Sequence, residues 1–329
     1  MFVAALAALA LLVAGCGGKE QGGDVRRYAF VTNGVATFWD IVKAGAEAAG
    51  RDLGQDVTVL MPRGAVEQKQ MMEDLIIRGV DGIAISPIDA DNQVEIINKA
   101  AAATTLITAD SDAPKADRVL YLGTDNYEAG RMCGRLVKEA IPDGGKVMIF
   151  IGRLEQDNAK ARRQGLIDEL ADRTPDPGRF DAPGEEPKDG KYWILGTLTD
   201  EFDQMRGKQN VDDTLTAHPD LACAVGLFVF NPPHILESLR GAGKLGEVKV
   251  VGFDEAEETL QGIADGHVQG TVVQNPYDYG YRSIEVLDAL AGGDRSVIPE
   301  SGFINIPPRV IRRDNVEEFR QDLHSKLGK

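Results

Sequence analysis

The sequence is short of several features that would have narrowed its function at once. Only three of its 329 residues are cysteine and four are histidine. No Cys/His group has zinc-site spacing, so no metal is predicted. Positive charge is scarce: 36 Lys and Arg stand against 52 Asp and Glu, a net charge of −16. Nucleic-acid binders need basic faces to neutralise phosphate, which excludes nucleic acid as a partner. No apolar run reaches the roughly 20 residues of a membrane-spanning helix. No Gly-x-Ser-x-Gly, P-loop or Gly-x-Gly-x-x-Gly motif follows a strand pattern, so the usual signs of acyl transfer, nucleotide hydrolysis and dinucleotide chemistry are missing. No cofactor is predicted.

What is present begins at the N-terminus. Met1 to Gly15 is an apolar run with the length of a signal-peptide core ending in small residues. Val13-Ala14-Gly15-Cys16 reads as a bacterial lipobox, in which cleavage before Cys16 leaves a thiol to carry lipid. Residues 1–15 are thus expected to be a lipoprotein signal peptide, and 16–26 a glycine-rich tether to a bacterial membrane on its periplasmic or cell-surface side. No Lys or Arg precedes the apolar core, which departs from the usual signal order. With Cys16 taken by lipid, Cys133 and Cys223 remain. An exported pair can form a disulfide. Cys133 falls in a helical pattern, however, and Cys223 opens an apolar strand, so two buried thiols are preferred.

After the tether, short apolar runs alternate with longer amphipathic ones. Strand patterns cover Tyr28–Thr32, Val57–Leu60, Gly82–Ser86, Thr105–Ala109, Val119–Leu122, Lys146–Ile151, Tyr192–Leu195, Ala222–Phe228, Val248–Gly252 and Gln269–Val273. Helical patterns lie between them, among them Phe38–Ala49, Tyr127–Ala140, Ala159–Leu170 and Tyr277–Leu290. Such alternation implies α/β architecture with parallel sheets covered on both faces. Ten strands are many for one open sheet, so two doubly wound lobes are expected. The Pro-, Gly- and charge-rich stretch 174–190 reads as a surface loop without assigned function.

In open parallel α/β sheets, ligands bind beyond the carboxyl ends of the strands. The residues there include Thr32-Asn33-Gly34, Ser86-Pro87, Asp110-Ser111-Asp112, Val229-Phe230-Asn231, Phe253-Asp254 and Gln274-Asn275, with Phe38, Trp39, Phe202 and Phe230 close by. Carboxylates and amides beside aromatic planes suit a sugar, whose hydroxyls need paired donors and acceptors and whose ring faces are apolar. Asp110 and Asp254 also admit an enzymatic reading as a glycosidase acid pair. That chemistry needs a raised-pKa acid and a fixed separation, neither of which is visible in sequence.

Over Tyr28 to Phe303 the chain resembles the ribose- and galactose-type periplasmic binding proteins that serve ABC transporters. The likeness is carried by Ala29-Phe-Val-Thr-Asn33 with Phe38-Trp39, Asp81-Gly-Ile-Ala-Ile-Ser-Pro87, Tyr121-Leu-Gly-Thr-Asp-Asn126, Thr216-Ala-His-Pro-Asp220, Val250-Val-Gly-Phe-Asp254 and Gly270-Thr-Val-Val-Gln274. It implies a type I periplasmic binding protein fold with a three-segment hinge. The first lobe would be 27–124 and 275–302, the second 125–274 and 303–329. It implies a non-enzymatic, monosaccharide-binding lipoprotein of an importer, with an ABC permease as partner. A binding protein feeding a chemotaxis or quorum-sensing receptor, with a furanose-like signal, is the alternative.

The resemblance assigns ligand contacts to Asn33, Phe38, Trp39, Asp110, Asn158, Arg162, Phe202, Asp254 and Gln274. Asn158 and Arg162 are one helical turn apart and share a face. Two departures touch specificity. Ser111 stands where the ribose-type pattern has arginine, and Phe228 and Val229 replace an Asn-Asp pair. Asn231 is expected to supply the missing amide.

Overall fold

The computed structural model describes residues 25–327. The expected signal peptide, Cys16 and all but the last two residues of the tether lie outside the described residues. The apolar runs form strands because β-branched and small apolar residues, buried on both faces, satisfy their backbone only through neighbouring strands. The chain runs first through β1 (Arg27–Val31), α1 (Thr37–Leu53), β2 (Asp56–Leu60), α2 (Ala65–Arg78), β3 (Gly82–Ile85), α3 (Val94–Ala101), β4 (Thr105–Ala109) and β5 (Tyr121–Gly123). It continues through α4 (Asn126–Ala140), β6 (Gly145–Ile151), α5 (Asp157–Leu170), β7 (Tyr192–Thr199), α6 (Gln204–Ala217), β8 (Leu221–Gly226), α7 (Asn231–Gly241), β9 (Lys249–Phe253), α8 (Glu257–Ala264) and β10 (Gly270–Val273). It ends with α9 (Pro276–Ala291), β11 (Phe303–Asn305), β12 (Arg309–Ile311) and α10 (Val316–Lys326).

These strands make two sheets, ordered β2-β1-β3-β4-β5-β11 and β7-β6-β8-β9-β10-β12. Every pairing between the ordered strands is parallel except β10 with β12, where Thr271 faces Ile311. Each sheet thus repeats the doubly wound order in which the chain reverses direction beside its first strand, opening a crevice at the carboxyl edge. β11 and β12 escaped the periodicity because each has three residues, with Pro307 and Pro308 between them. α10 escaped because its charged surface is anchored by little more than the buried Val316 and Phe319. The boundary expected after residue 302 moves past Asn305: β11 pairs with β5, and the Phe303 ring stacks on Tyr121 at 5.1 Å.

The chain passes between lobes after β5, after β10 and after β11. One buried network joins these passages. The Tyr279 hydroxyl lies 2.5 Å from Thr124 Oγ1 and 2.9 Å from Gln274 Oε1, while Thr124 Oγ1 donates to the Ile306 carbonyl. Cys133 on α4 and Cys223 on β8 are both buried and unpaired. The 174–190 loop is tied down rather than loosely solvated. Its Glu186 is buried against Arg163 at 2.6 Å, and its Asp181 is paired with Arg173 at 2.5 Å.

Each lobe is built around one close helix pair, α1 with α9 and α4 with α5. Reciprocal glycines permit the approach. A Cβ on Gly45 would lie 2.0 Å from the Tyr277 carbonyl oxygen, and one on Gly280 1.9 Å from that of Val42. In the second lobe Gly130 meets Arg162 and Gly165 meets Tyr127, each at 1.9 Å. Alanine favours helix over glycine by roughly 0.8–1.0 kcal/mol, yet here its methyl has no space. Gly165→Ala is therefore expected to destabilise by about 1–3 kcal/mol, measured by urea unfolding; a variant as stable as the parent contradicts this packing.

Candidate functional site

The carboxyl edges of the two sheets face each other across a narrow cavity of about 40 Å³. Its walls are Asn33, Ala36, Phe38, Trp39 and Asp110 from the first lobe, and Asn158, Arg162, Phe202, Phe228, Val229, Phe230, Asp254 and Gln274 from the second lobe and its edge. Nine of the ten residues expected from sequence thus meet around one space.

Asp110 follows β4 and Asp254 follows β9, the fourth strand of each sheet. Both adopt left-handed backbone, with φ of 63° and 64°, which aspartate tolerates better than most residues. Each is held the same way. The Asp110 N–H donates to Leu122 of β5 and the Asp254 N–H to Val272 of β10. Three donors converge on Asp110 Oδ2: Ser86 Oγ at 2.8 Å, and Asn33 Nδ2 and Asn158 Nδ2 at 3.2 Å each. Asn158 belongs to the other lobe, so this contact spans the cleft. Gln274 Nε2 donates to Asp254 Oδ1 at 2.9 Å.

Arg162 lies between these carboxylates and is 1% exposed. Its Nη1 donates to the Leu227 carbonyl at 2.8 Å, and Nε and Nη2 donate to Asn126 Oδ1 at 3.2 and 2.8 Å. Its guanidinium carbon stands 3.7 Å from the centre of the Phe253 ring. Burial pushes the Asp110 carboxyl up to about 6, with Arg162 and the hydrogen bonds from Ser86, Asn33 and Asn158 opposing that rise. Asp254 is raised by burial too, against the pull of Arg162 and Gln274.

The aromatic walls sit on both lobes. Phe38 meets Trp39 edge-on at 4.9 Å. Across the cleft, Phe202 packs edge-on against Phe228 at 5.8 Å and Phe230 at 5.3 Å. Asn231 corrects the sequence reading, since its side chain does not reach the cavity. Its Oδ1 accepts from the Phe228 N–H at 2.9 Å and its Nδ2 donates to Asp200 at 2.7 Å. The position opens helix α7, where an Asn side chain bonds nearby backbone more readily than a distant ligand. Sequence reasoning did not place Phe228 and Ala36 as cavity walls, Phe228 entering only as a departure, whereas Val229 stood in the strand-edge stretch without an assigned role. Nor did it find Asn126, whose signal was its place in Tyr121–Asn126 at a helix start. Asp112 of the Asp-Ser-Asp run turns away onto Arg118, with both oxygens at 2.5 Å.

Beside Asp254, Glu255 is buried and neither of its oxygens has a partner among the described residues. Burial raises its pKa well above the ordinary value; the neighbouring Asp254 adds to this and Arg309 opposes it. In the unfolded chain the group ionises near about pH 4.3. The folded state therefore loses stability as pH climbs above that value toward the raised one. Glu255→Gln is expected to raise the melting temperature at pH 8 and leave it nearly unchanged at pH 4.5, by roughly 2–4 °C per kcal/mol recovered. Thermal unfolding of both proteins at the two pH values checks this. A variant less stable at pH 8 would mean an ionised, paired carboxylate.

Comparison with known proteins agrees with this geometry. The family model described as a periplasmic binding protein domain matches residues 28–295. The ribose import binding protein of Salmonella typhimurium is 28% identical over 265 residues, covering 78% of this chain and 82% of its own. The D-allose-binding periplasmic protein of Escherichia coli is 24% identical over 278 residues, covering 80% and 83%. Among solved structures, an ABC transporter solute-binding protein from Burkholderia graminis, in complex with D-arabinose, is 29% identical. It superposes with a TM-score of 0.79, covering 89% of this chain and 96% of that one. The family binds substrates rather than transforming them, so the glycosidase reading of the two aspartates falls away. The chain belongs to the periplasmic binding protein family.

Proposed function

We propose that the protein is the substrate-binding component of an ABC importer, closing its two lobes around a monosaccharide. The observation that carries this is the pairing of Asp110 and Asp254, equivalent positions on opposite lobes, around one cavity with Arg162 between them. Carboxylates accept hydrogen bonds from vicinal hydroxyls, the guanidinium donates to ring or hydroxyl oxygen, and Phe38, Trp39 and Phe202 offer ring faces to C–H surfaces. The named relatives, which bind ribose, allose and arabinose, support the same ligand class.

Closure follows from the placement of the groups. Both lobes contribute contacts, so a ligand gains all of them only in the closed form and shifts the population toward it. Bending at the three passages, with 27–124 and 275–305 moving against 125–274 and the tail, is the motion this requires. The lipobox reading adds an anchor: lipid on Cys16 and the 16–26 tether would hold the protein at the outer face of the membrane, beside its permease. No specific observation favours the alternative of feeding a chemotaxis or quorum-sensing receptor.

The test is a thermal-shift screen against pentoses, hexoses, deoxysugars and polyols. One compound is expected to stabilise the protein by several degrees through mass action. Asp254→Ala is expected to keep the fold and lose this stabilisation, a binding loss of roughly 2–5 kcal/mol. Undiminished affinity in that variant would show that the cleft is not the site.

A further inference from the structure

The polar and apolar atoms of the cavity are unequally supplied. Asp110 Oδ2 already has three donors, and Gln274 spends its amide on Asp254 and Tyr279. Acceptors without a hydrogen bond among the described residues are Asn33 Oδ1, Asp110 Oδ1, Asn158 Oδ1 and Asp254 Oδ2. They belong to Asp110, Asp254 and the two asparagines beside Asp110, while Arg162 donates to Asn126 and the Leu227 carbonyl.

The aromatic wall of the second lobe carries no hydrogen-bonding side chain of its own, although the Arg162 guanidinium stands 5.3 Å from the centre of the Phe228 ring. Phe202, Phe228 and Phe230 converge over Gly152, where a Cβ would lie 3.1 to 3.3 Å from all three rings. Val229 continues the surface and packs into the first lobe's core with Phe38 and Trp39. This wall is fixed. Asn231 holds the Phe228 backbone and Asp200 together, Asp200 accepts from the Phe202 N–H, and the Arg153 guanidinium stands 4.5 Å from the centre of the Phe202 ring. A phenyl ring cannot replace the water that a hydroxyl gives up on burial.

Resting on the monosaccharide reading above, we propose that the ligand is a deoxysugar, whose hydroxyls lie along the edge facing Asp110 and Asp254 and whose hydroxyl-free carbon meets the wall of Phe202, Phe228 and Phe230. Phe228 is then the specificity-determining residue. The polar groups select a sugar, and the phenyl wall selects against the additional hydroxyl.

Calorimetric titration of the full-length protein with sugars matched except for one hydroxyl tests this. Suitable pairs are D-galactose with its 6-deoxy form, L-mannose with its 6-deoxy form, D-glucose with 2-deoxy-D-glucose, and D-ribose with 2-deoxy-D-ribose. In at least one pair the deoxy member is expected to bind about 10- to 100-fold more tightly, the discrimination an apolar pocket can exert on a single hydroxyl. Phe228→Asn, which brings an amide to the wall, is expected to narrow or reverse that preference. The inference is overturned if the hydroxylated parent binds as tightly or more tightly in every pair with a binding member; the wild-type titrations decide this even if the variant fails to fold. If no member of any pair binds, the monosaccharide reading itself fails and takes this inference with it.

Discussion

A buried guanidinium without an ion-pair partner organises this molecule. Arg162 is almost fully enclosed, and among the described residues no carboxylate approaches it within salt-bridge distance. An isolated buried charge is very costly unless hydrogen bonds and nearby opposite charge compensate it. Compensation comes from Asn126, the Leu227 carbonyl, the Phe253 ring face, and the fields of Asp110 and Asp254. Those carboxylates are themselves pushed toward neutrality by burial, so the cation and the two acids depend on one another. α5 must be held still for this to work. Gly165 against Tyr127 fixes it to α4, and the buried Arg163–Glu186 pair fixes it from the opposite side. Adjacent arginines on one helix thus have separate duties, one toward the cavity and one toward the scaffold.

The two lobes share a plan. Each places an aspartate in left-handed backbone after its fourth strand, tied to its fifth, and each brings two helices together through a pair of glycines. The equivalence makes the cleft chemically two-sided, with an acid from each half. It breaks down where the surroundings differ. Asp110 has three side-chain donors on one oxygen, whereas Asp254 has one donor and the unpartnered Glu255 beside it. The aromatic surfaces are unequal too, with two rings on the first lobe and three on the second.

Much of this was legible in the sequence. Doubly wound sheets present their carboxyl edges to ligand, so the residues just beyond each strand included Asn33, Asp110, Asp254 and Gln274 among others, and the family likeness singled these four out. Asn158 and Arg162 came from helical spacing and family likeness together. Asn231 misled because residue type carries no direction: an amide at a helix start serves the backbone beside it. β11, β12 and α10 were invisible because three-residue strands and a lightly anchored charged helix leave no periodic trace. The shared plan of the lobes was hidden because it resides in backbone conformation and in glycine contacts between elements far apart in the chain. The inward-facing Glu186 was concealed by the polar composition around it.

A crystal structure of the protein with its sugar tests the central claim most directly. One molecule is expected in the cavity, within hydrogen-bond distance of the side-chain carboxylates of both Asp110 and Asp254 and in contact with Arg162. A sugar bound to one lobe alone, or with either carboxylate turned away from it, would contradict the account.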